Sequence, residues 1–546
     1  MKRVYGFNEG GKELIDILGG KGGNLAEMKR IGLPIPEGII VSTTACKEFF
    51  RDGKKITPEL EKEILEKLEY LQEVTGKRFE GDNPLLVSVR SGAPISMPGM
   101  MDTILNLGLN DVTAEKMSKI FNDEIFVHEL YARFIQMFSE IVMGIEKELF
   151  FSLKEKLFAE RKDEPKIDTY KLVIKKSKEL YKEKTGLDFP ESAKEQLFMA
   201  VNAIFNSWEN DRAILYRKIN GIDDSMGTAV VIQEMVFGNR NDKSGTGVAF
   251  SRNPSNGENE LFGEYLLKAQ GEDIVAGIRT PEPIARLHEQ LPEIYDEFAR
   301  LAKVLENHNK DMQDIEFTIE DGKLYLLQTR NGKRSPYAAV KIAVDMVHEG
   351  ILSKEEAIMK VDPNVLPQLL HGNFDPEAVK KATLLGKGLP GSAGVAIGRV
   401  MFASERVETR ALAILVREET SPEDIKGISQ AQGIVTVKGG ATSHGAVVAR
   451  GMGKCCVTGC GEIQINDIKR EMYINGHTVK EGDFISISGY TGEIFLGKVK
   501  LTEPKFDDNL KEFVSWCKEI KRLGVRMNAD TPADAKKARE LGAEGI

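Results

Sequence analysis

Hydrophobic and polar positions change rhythm several times along the chain. From the start to about Gly108, short apolar runs such as GIIVST and PLLVSVRSG alternate with glycine turns, which predicts strands joined by tight loops and short helices. Between about 110 and 195 glycine nearly vanishes. Text such as EKELFFSLKEKLFAERKDE then predicts amphipathic helices with solvated charged faces, inserted into this α/β lobe. Strand patterns return in GTAVVIQEMVFG and SGTGVAFSRNP. They close with DIEFTIEDGKLYLLQTR, where Asp321 and Gly322 lie between alternating runs as a hairpin turn. Residues 1–334 therefore read as one unit with two lobes.

Residues 335–385, with SPYAAVKIAVDMVHEGILSKEEAIMKV, predict a helical connector followed by a loop. A compact unit over 386–498 opens with GLPGSAGVAIGRVMF and closes with GDFISISGYTGEIFLG, short strands rich in glycine turns. A charged second connector starts near 499. In the tail, strand-like GVRMNAD leads to Thr531 as an N-cap, Pro532 at the first helical position and a stop at Gly542. AEGI then begins another strand. This pattern predicts a chain cut at the start of a β/α repeat domain, with residues from about Asp508 onward poorly ordered or abnormally packed. The expected fold class is multidomain, α/β and α+β.

Length supports several units, because 546 residues exceed the roughly 250–300 at which one hydrophobic core stops growing. A net charge of −9 argues against a nucleic-acid partner, which needs a basic face, while a local pocket for a small anion stays compatible with it. Neither a signal-peptide core nor a run of about 18 apolar residues occurs, so no membrane contact and a cytoplasmic location are expected. Five cysteines, three of them at 455, 456 and 460, do not make a disulfide framework, and CCxxxC lacks the paired ligands of a zinc site. They read as reduced, buried small hydrophobes.

The chemistry concentrates in KGGATSHGAVVARGMGKCCV. Gly439 and Gly440 make a turn, Thr442 or Ser443 can cap a helix, and His444 falls in its first turn. Free amide N–H groups and the positive end of the helix dipole stabilise negative charge there, by roughly 0.3–1 kcal/mol per favourable contact. Neutral imidazole is abundant near pH 7 and its ring nitrogen is nucleophilic. By position alone such a histidine is more often a surface or capping residue, and the others, such as His128 and His348 on charged helices, read as ordinary surface or packing residues.

Neither GxxxxGK[ST] nor GxGxxG after a strand is present. Lys21 between glycines, and Arg90 beside Ser91 and Gly92, place cations where backbone can approach phosphates, although either alone is a surface cation. Gly99 and the SGTG run around Thr246 read as mobile phosphate-covering loops or as plain turns. Asp314, Glu316, Gln328 and Arg330 flank the hairpin; carboxylate and amide oxygens suit magnesium, and Arg330 can grip a phosphate. An ideal two-residue hairpin pairs Glu316 with Leu327 and turns Gln328 to the other face. For both to reach one metal–nucleotide site, Leu326 and Leu327 must mark a bulge or local twist.

GGATSHGAVVARG resembles the phosphohistidine signature of the pyruvate phosphate dikinase and phosphoenolpyruvate synthase group, whose commoner form has Met where Ala441 stands and Ala where Gly445 stands. GGKGGNLAEM, SVRSGAPISMPGMMDT, QEMVFG, SGTGVAFSRNP and IEFTIEDGKLYLLQTRNGK resemble, in order, the ATP-grasp domain of the pyruvate phosphate dikinases. The likeness continues through SWENDRAILYRKI and AQGEDIVAGIRTPEPI to residue 546. TSH and SVRSGAPISMPGMMDT fit the dikinases better than the synthases.

The resemblance implies that ATP lies between two lobes, contacted by Lys21, Arg90, Gly99, Thr246, Asp314, Glu316, Gln328 and Arg330, with adenine read by the strand Gln233, Glu234, Met235 and Val236. It implies Mg²⁺ on Glu316 and Gln328, a monovalent cation such as NH₄⁺ or K⁺, and His444 as the phosphoryl carrier in a swivelling domain over 386–498. ATP, phosphate and pyruvate would become AMP, pyrophosphate and phosphoenolpyruvate. The pyruvate step would belong to a barrel that begins within 499–546, so that this chain performs the nucleotide half-reaction alone. Full-length members assemble as homodimers through that barrel, which leaves this piece monomeric. Thr442 matches a regulatory phosphorylation site of plant members, beside its simpler role as a cap. A non-catalytic phosphocarrier is the alternative from another class.

Overall fold

The computed structural model describes residues 2–546 except 96, 98–99, 272, 274–280, 371–373, 408–411, 503–506 and 541, with the backbone alone at a few further positions, His444 among them. Alternation of apolar residues builds two five-stranded sheets in the amino-terminal part. The first contains β1 (Val4–Gly6), β2 (Gly38–Val41), β3 (Val87–Gly92), β4 (Thr103–Leu107) and β5 (Ala229–Glu234), in the order β1-β2-β5-β3-β4, with every neighbouring pair antiparallel. Val87, Val89, Val230 and Ile232 share one core with the helices Asp111–Phe121, Glu124–Met143 and Ala193–Ser207. The helix-rich stretch expected near 110–195 therefore covers one face of this sheet.

Alternate residues of β5, Ala229 and Val231, join a different core together with Leu18 and Leu25 of the Ile15–Arg30 helix. The same core holds Ile315, Phe317, Leu324 and Leu326 of the second sheet. That sheet contains β6 (Gly245–Phe250), β7 (Phe262–Leu267), β8 (Glu282–Pro283), β9 (Gln313–Glu320) and β10 (Lys323–Asn331), in the order β10-β9-β6-β7-β8. In β9 the period of two sends Ile315, Phe317 and Ile319 into the core, so Asp314, Glu316 and Thr318 project from the opposite face.

The third sheet has eight strands: β11 (Leu384–Lys387), β12 (Leu389–Ser392), β13 (Val395–Met401), β14 (Ala413–Arg417), β15 (Gly433–Thr436), β16 (Cys455–Thr458), β20 (Phe484–Ser488) and β21 (Glu493–Leu496). The strands β17 (Gln464–Asn466), β18 (Glu471–Ile474) and β19 (His477–Lys480) form a small sheet beside it. β13 to β16 run parallel, and β15 and β16 are buried along their whole length, as parallel strands covered on both faces should be. Cys455 and Cys456 occupy β16, and they and Cys460 are buried and free.

The two connectors lie together. Leu510, Phe513 and Trp516 of the Asp508–Ile520 helix share a core with Val340, Val344 and Met346 of the Pro336–His348 helix. Side chains of this size stabilise by about 1.5–3 kcal/mol each when fully buried. The expectation of abnormal packing from Asp508 onward is therefore wrong for Asp508–Ile520, whose amphipathic face finds its partner in the first connector. Asp375 N donates to Lys500 O at 2.9 Å, and Phe374 bridges Leu501. Farther on, Thr531 caps the Pro532–Glu540 helix by accepting from Asp534 N at 3.2 Å, and Arg526 and Gly545 form a parallel bridge around that helix. Among the described residues no helix is long and apolar enough to cross a membrane.

Candidate active site

Asp321 (φ 50°) and Gly322 (φ 74°) form the tight turn of the β9–β10 hairpin. From there the register runs regularly to Leu326 opposite Phe317, then jumps to Gln328 opposite Glu316, so Leu327 is the extra residue of a bulge. The bulge restores Gln328 to the face of Glu316, and Arg330 falls opposite Asp314. Gln328 Nε2 donates to Glu316 Oε1 at 3.1 Å, and Arg330 Nε donates to Asp314 Oδ2 at 2.6 Å. Arg90, from the other sheet, reaches into this cluster. Its Nη2 donates to Gln328 Oε1 at 3.1 Å and Glu316 Oε2 at 3.3 Å, while Nη1 reaches Gln233 Oε1 at 3.5 Å and the bulged Leu327 O at 3.3 Å. The bulge thus supplies one of three acceptors through which Arg90 ties the two sheets together.

Lys21 enters from the Ile15–Arg30 helix, which is interrupted at Gly19. Gly19 adopts φ 72° and passes so close to β3 that a Cβ would lie 1.7 Å from Gly92 O. Gly20 N donates to Ala93 O at 2.9 Å, and the helix resumes with Lys21 in its first turn. Burial, then the Arg90 charge, push the Lys21 ammonium down to about 7; Arg330 adds to this and Glu316 opposes it. Burial raises the Asp314 carboxyl above its usual range against the pull of Arg330, and Asp314 Oδ1 has no hydrogen-bond partner. Three cations crowd two carboxylates here, an arrangement that would welcome a polyanion.

Other expectations meet a different structure. Thr246 is not on a loop: it lies inside β6, buried, donating to Phe317 O at 3.0 Å and facing Thr318 Oγ1 at 3.1 Å. The glycines around it serve packing, since a Cβ on Gly247 would meet the Phe317 ring at 2.4 Å. The strand expected over 233–236 ends at Glu234, with Met235 and Val236 following it. Gln233 Nε2 donates to Pro36 O at 3.1 Å, Glu234 pairs with Lys77 at 2.7 Å, and Met235 N donates to Leu86 O at 2.9 Å. Gly99 lies outside the described residues.

The loop before His444 sits on the second sheet. Glu264 of β7 accepts from Ala441 N at 3.0 Å, Thr442 N at 3.4 Å and Thr442 Oγ1 at 2.7 Å. Val248 is the register partner of both Glu264 and Glu316, so Gln328, Glu316, Val248 and Glu264 form one row on one face. Two strand spacings, roughly 10 Å, separate the backbones of Glu316 and Glu264. His444 opens the His444–Gly451 helix; Ser443 is its N-cap residue but makes no side-chain cap. Neither hydroxyl caps the helix as expected, because Thr442 is drawn to Glu264. Ile425 and Met452, from the same unit, pack with Met97, Met100 and Trp208.

Sequence reasoning missed Glu264 and also Arg450, which is buried against Phe250 at 5.3 Å from the ring centroid. The only available signal was a single charge inside an apolar run, FGEYLL for one and GAVVARG for the other.

A family model described as "Pyruvate phosphate dikinase, AMP/ATP-binding domain" matches residues 15–72, 52–297 and 290–350. The chain belongs to the pyruvate phosphate dikinase family. A second model, "PEP-utilising enzyme, mobile domain", matches residues 410–492 of this dikinase-family chain. Similar curated relatives are pyruvate, phosphate dikinase of Clostridium symbiosum (50% identical), the chloroplastic pyruvate, phosphate dikinase of Flaveria pringlei (49%) and pyruvate, phosphate dikinase of Rhizobium meliloti strain 1021 (46%). Each match covers the whole of this chain but only 64%, 58% and 63% of the relative, respectively. Where this chain departs from the commoner dikinase signature, a Cβ on Gly445 would meet Thr420 Oγ1 at 2.4 Å, so an alanine there would require Thr420 to turn away.

Proposed function

We propose that this chain performs the nucleotide half of the pyruvate phosphate dikinase reaction, phosphorylating its own His444 from ATP. The two lobes over 1–334 are read as an ATP-grasp domain, 335–385 as a linker, 386–498 as the swivelling phosphohistidine domain, and 499–546 as a second linker leading into a β/α barrel. What supports this most is the row Gln328–Glu316–Val248–Glu264, which sets the anchor of the His444 loop two strands from the charged cluster. The parallel bridge between Arg526 and Gly545 around a helix supports the barrel reading.

In this reading Lys21, Arg90 and Arg330 bind the phosphates between the lobes, Asp314 takes its part in the nucleotide site by holding Arg330 through its hydrogen bond, and Lys21 stands at a helix N-terminus suited to anions. Gln233, Glu234, Met235 and Val236 border the base; Gly99 and Thr246 keep their proposed place near the nucleotide, Thr246 through its backbone. No group of three or more His, Cys, Asp or Glu side chains among the described residues is placed to hold a metal. Glu316 and Gln328 offer two adjacent oxygen donors, which fits Mg²⁺ because that ion completes its shell with phosphate oxygens and water. When bound, it would neutralise charge on the phosphoryl oxygens.

The His444 ring nitrogen attacks the β-phosphorus of ATP, and the bond from that phosphorus to the bridging α–β oxygen breaks, releasing AMP. Inorganic phosphate then takes the outer phosphoryl group as pyrophosphate, and phosphohistidine remains. Pyruvate would receive that group at a site outside this chain. Thr442, whose hydroxyl donates to Glu264, is also the proposed regulatory phosphorylation position, since a phosphate there would face that carboxylate.

The deciding experiment treats the wild-type chain and His444→Asn with ATP labelled at the β-phosphorus, Mg²⁺ and NH₄⁺, with and without phosphate. Label on wild type and none on the variant, with pyrophosphate appearing only when phosphate is present, is the expected result. Label on the variant ends the proposal, and free phosphate in place of pyrophosphate reassigns the chain to synthase chemistry.

A further inference from the structure

Arg450 lies near the end of the His444–Gly451 helix with its side chain buried. One nitrogen, Nη1, donates to Gly391 O at 2.6 Å and holds the helix on β12. That bond would suffice for a staple within the unit, yet the guanidinium also covers the Phe250 ring of the nucleotide lobe. Its Nε and Nη2 have no hydrogen-bond partner. Asp314 Oδ1, on the nucleotide lobe, is likewise buried without a partner. Phe250 and Asp314 are register partners in β6 and β9, so the covered ring and the unpaired oxygen belong to one row of the sheet. Asp314 and Glu264 are the carboxylates whose charge favours the Arg450 cation against its burial.

A guanidinium stripped of water with two nitrogens unpaired is costly unless negative charge faces it. Here the charge comes from the other unit. We propose that Arg450 is a positioning residue, a cation on the phosphohistidine unit that lies over Phe250 beside the Asp314 row, draws on the Asp314 charge across the interface without pairing with it, and thereby favours the pose in which the His444 loop rests on Glu264. The proposal rests on the reading of His444 as phosphoryl acceptor only in treating that pose as a reaction step. When the units separate, Arg450 regains water and Asp314 keeps its hydrogen bond from Arg330.

The test uses the full chain as wild type, Arg450→Gln, Arg450→Lys and Asp314→Asn. Small-angle scattering reads the docked population, calorimetry the affinity for Mg-ATP, thermal melting the integrity of the units, and β-label transfer the chemistry. Arg450→Gln should lower the docked population and slow labelling at saturating ATP at least ten-fold, with ATP affinity within two-fold of wild type. Arg450→Lys should recover part of both losses by keeping the charge. Asp314→Asn, which leaves the Arg450–Gly391 bond intact, should also lower the docked population.

Unchanged docking in Arg450→Gln or in Asp314→Asn overturns the proposal, as does a wild-type chain with no docked population. Equal losses in the Gln and Lys variants, accompanied by early melting, would make Arg450 a staple only and overturn it too. If wild type takes no label while docking still depends on Arg450 and Asp314, the phosphotransfer reading fails and this inference survives.

Discussion

The cluster around Arg90 and the loop ahead of His444 stand side by side on one face of one sheet, but they are held by different means. Glu316, Gln328 and Arg90 stand on strands whose ladders fix them, and Arg90 alone makes four polar contacts, three of which join the two sheets. The loop is held by one carboxylate, Glu264, and its unit by the small apolar seat of Ile425 and Met452 against Met97, Met100 and Trp208 and by Arg450 over Phe250. A preorganised binding cluster costs little rearrangement when the ligand arrives. A loop held by few contacts can leave and return, as the carrier role proposed for His444 requires. The difference teaches that binding and transfer should be separable by substitution.

Arg90→Met should break the preorganised side and produce the largest effect. Removing one partner of a buried, hydrogen-bonded charge group costs about 2–5 kcal/mol. Mg-ATP affinity should therefore fall by roughly 30-fold or more by calorimetry, and labelling of His444 should fall with it. An affinity within a few-fold of wild type would remove Arg90 from the nucleotide site. Glu264→Ala should break the other side. Losing hydrogen bonds to a charged acceptor costs on the order of 1.5–3 kcal/mol, so phosphorylation should slow roughly 10–100-fold while nucleotide affinity stays within two-fold. A loss of affinity as large as the loss of rate would abolish the distinction between the two regions.

The same contrast explains what was legible in the sequence. The bulge at Leu327 could be derived by counting residues from the Asp321–Gly322 turn, because register is arithmetic once the turn and the facing residues are fixed. Thr246 was misread because a glycine-rich run looks alike whether glycine serves a turn or, as at Gly247, a close approach by an aromatic ring. The Asp508–Ile520 helix was obscured by its charged face, since its partner helix lies far earlier in the chain. Glu264 had no local signature at all: the groups it binds are 177 and 178 residues away, and no short-range pattern encodes such a contact. The turn and the helix start around His444 were legible because they are adjacent in the sequence.

The finest difference between the two regions should appear in protons, not in rates. In the free protein Lys21 releases its proton near pH 7, because burial first and Arg90 next disfavour its charge. Phosphate oxygens beside the ammonium would favour the charged form and raise that pKa. At pH 8, Lys21 is then mostly neutral before Mg-ATP binds and charged afterwards, so binding takes up nearly one proton; at pH 6 it is charged in both states and takes up none. Calorimetry in two buffers of different ionisation enthalpy measures this uptake, and Lys21→Met should abolish it at pH 8. Stability follows the same sign. Between about pH 7 and the ordinary lysine value of about 10.5 the unfolded chain holds a proton that the folded, ligand-free chain lacks, so this group's contribution to stability rises with pH across that window. Bound nucleotide should flatten the rise. Glu264→Ala, which disturbs only the docked loop, should leave the uptake intact, whereas uptake that survives Lys21→Met would show that another group in the cluster carries the proton.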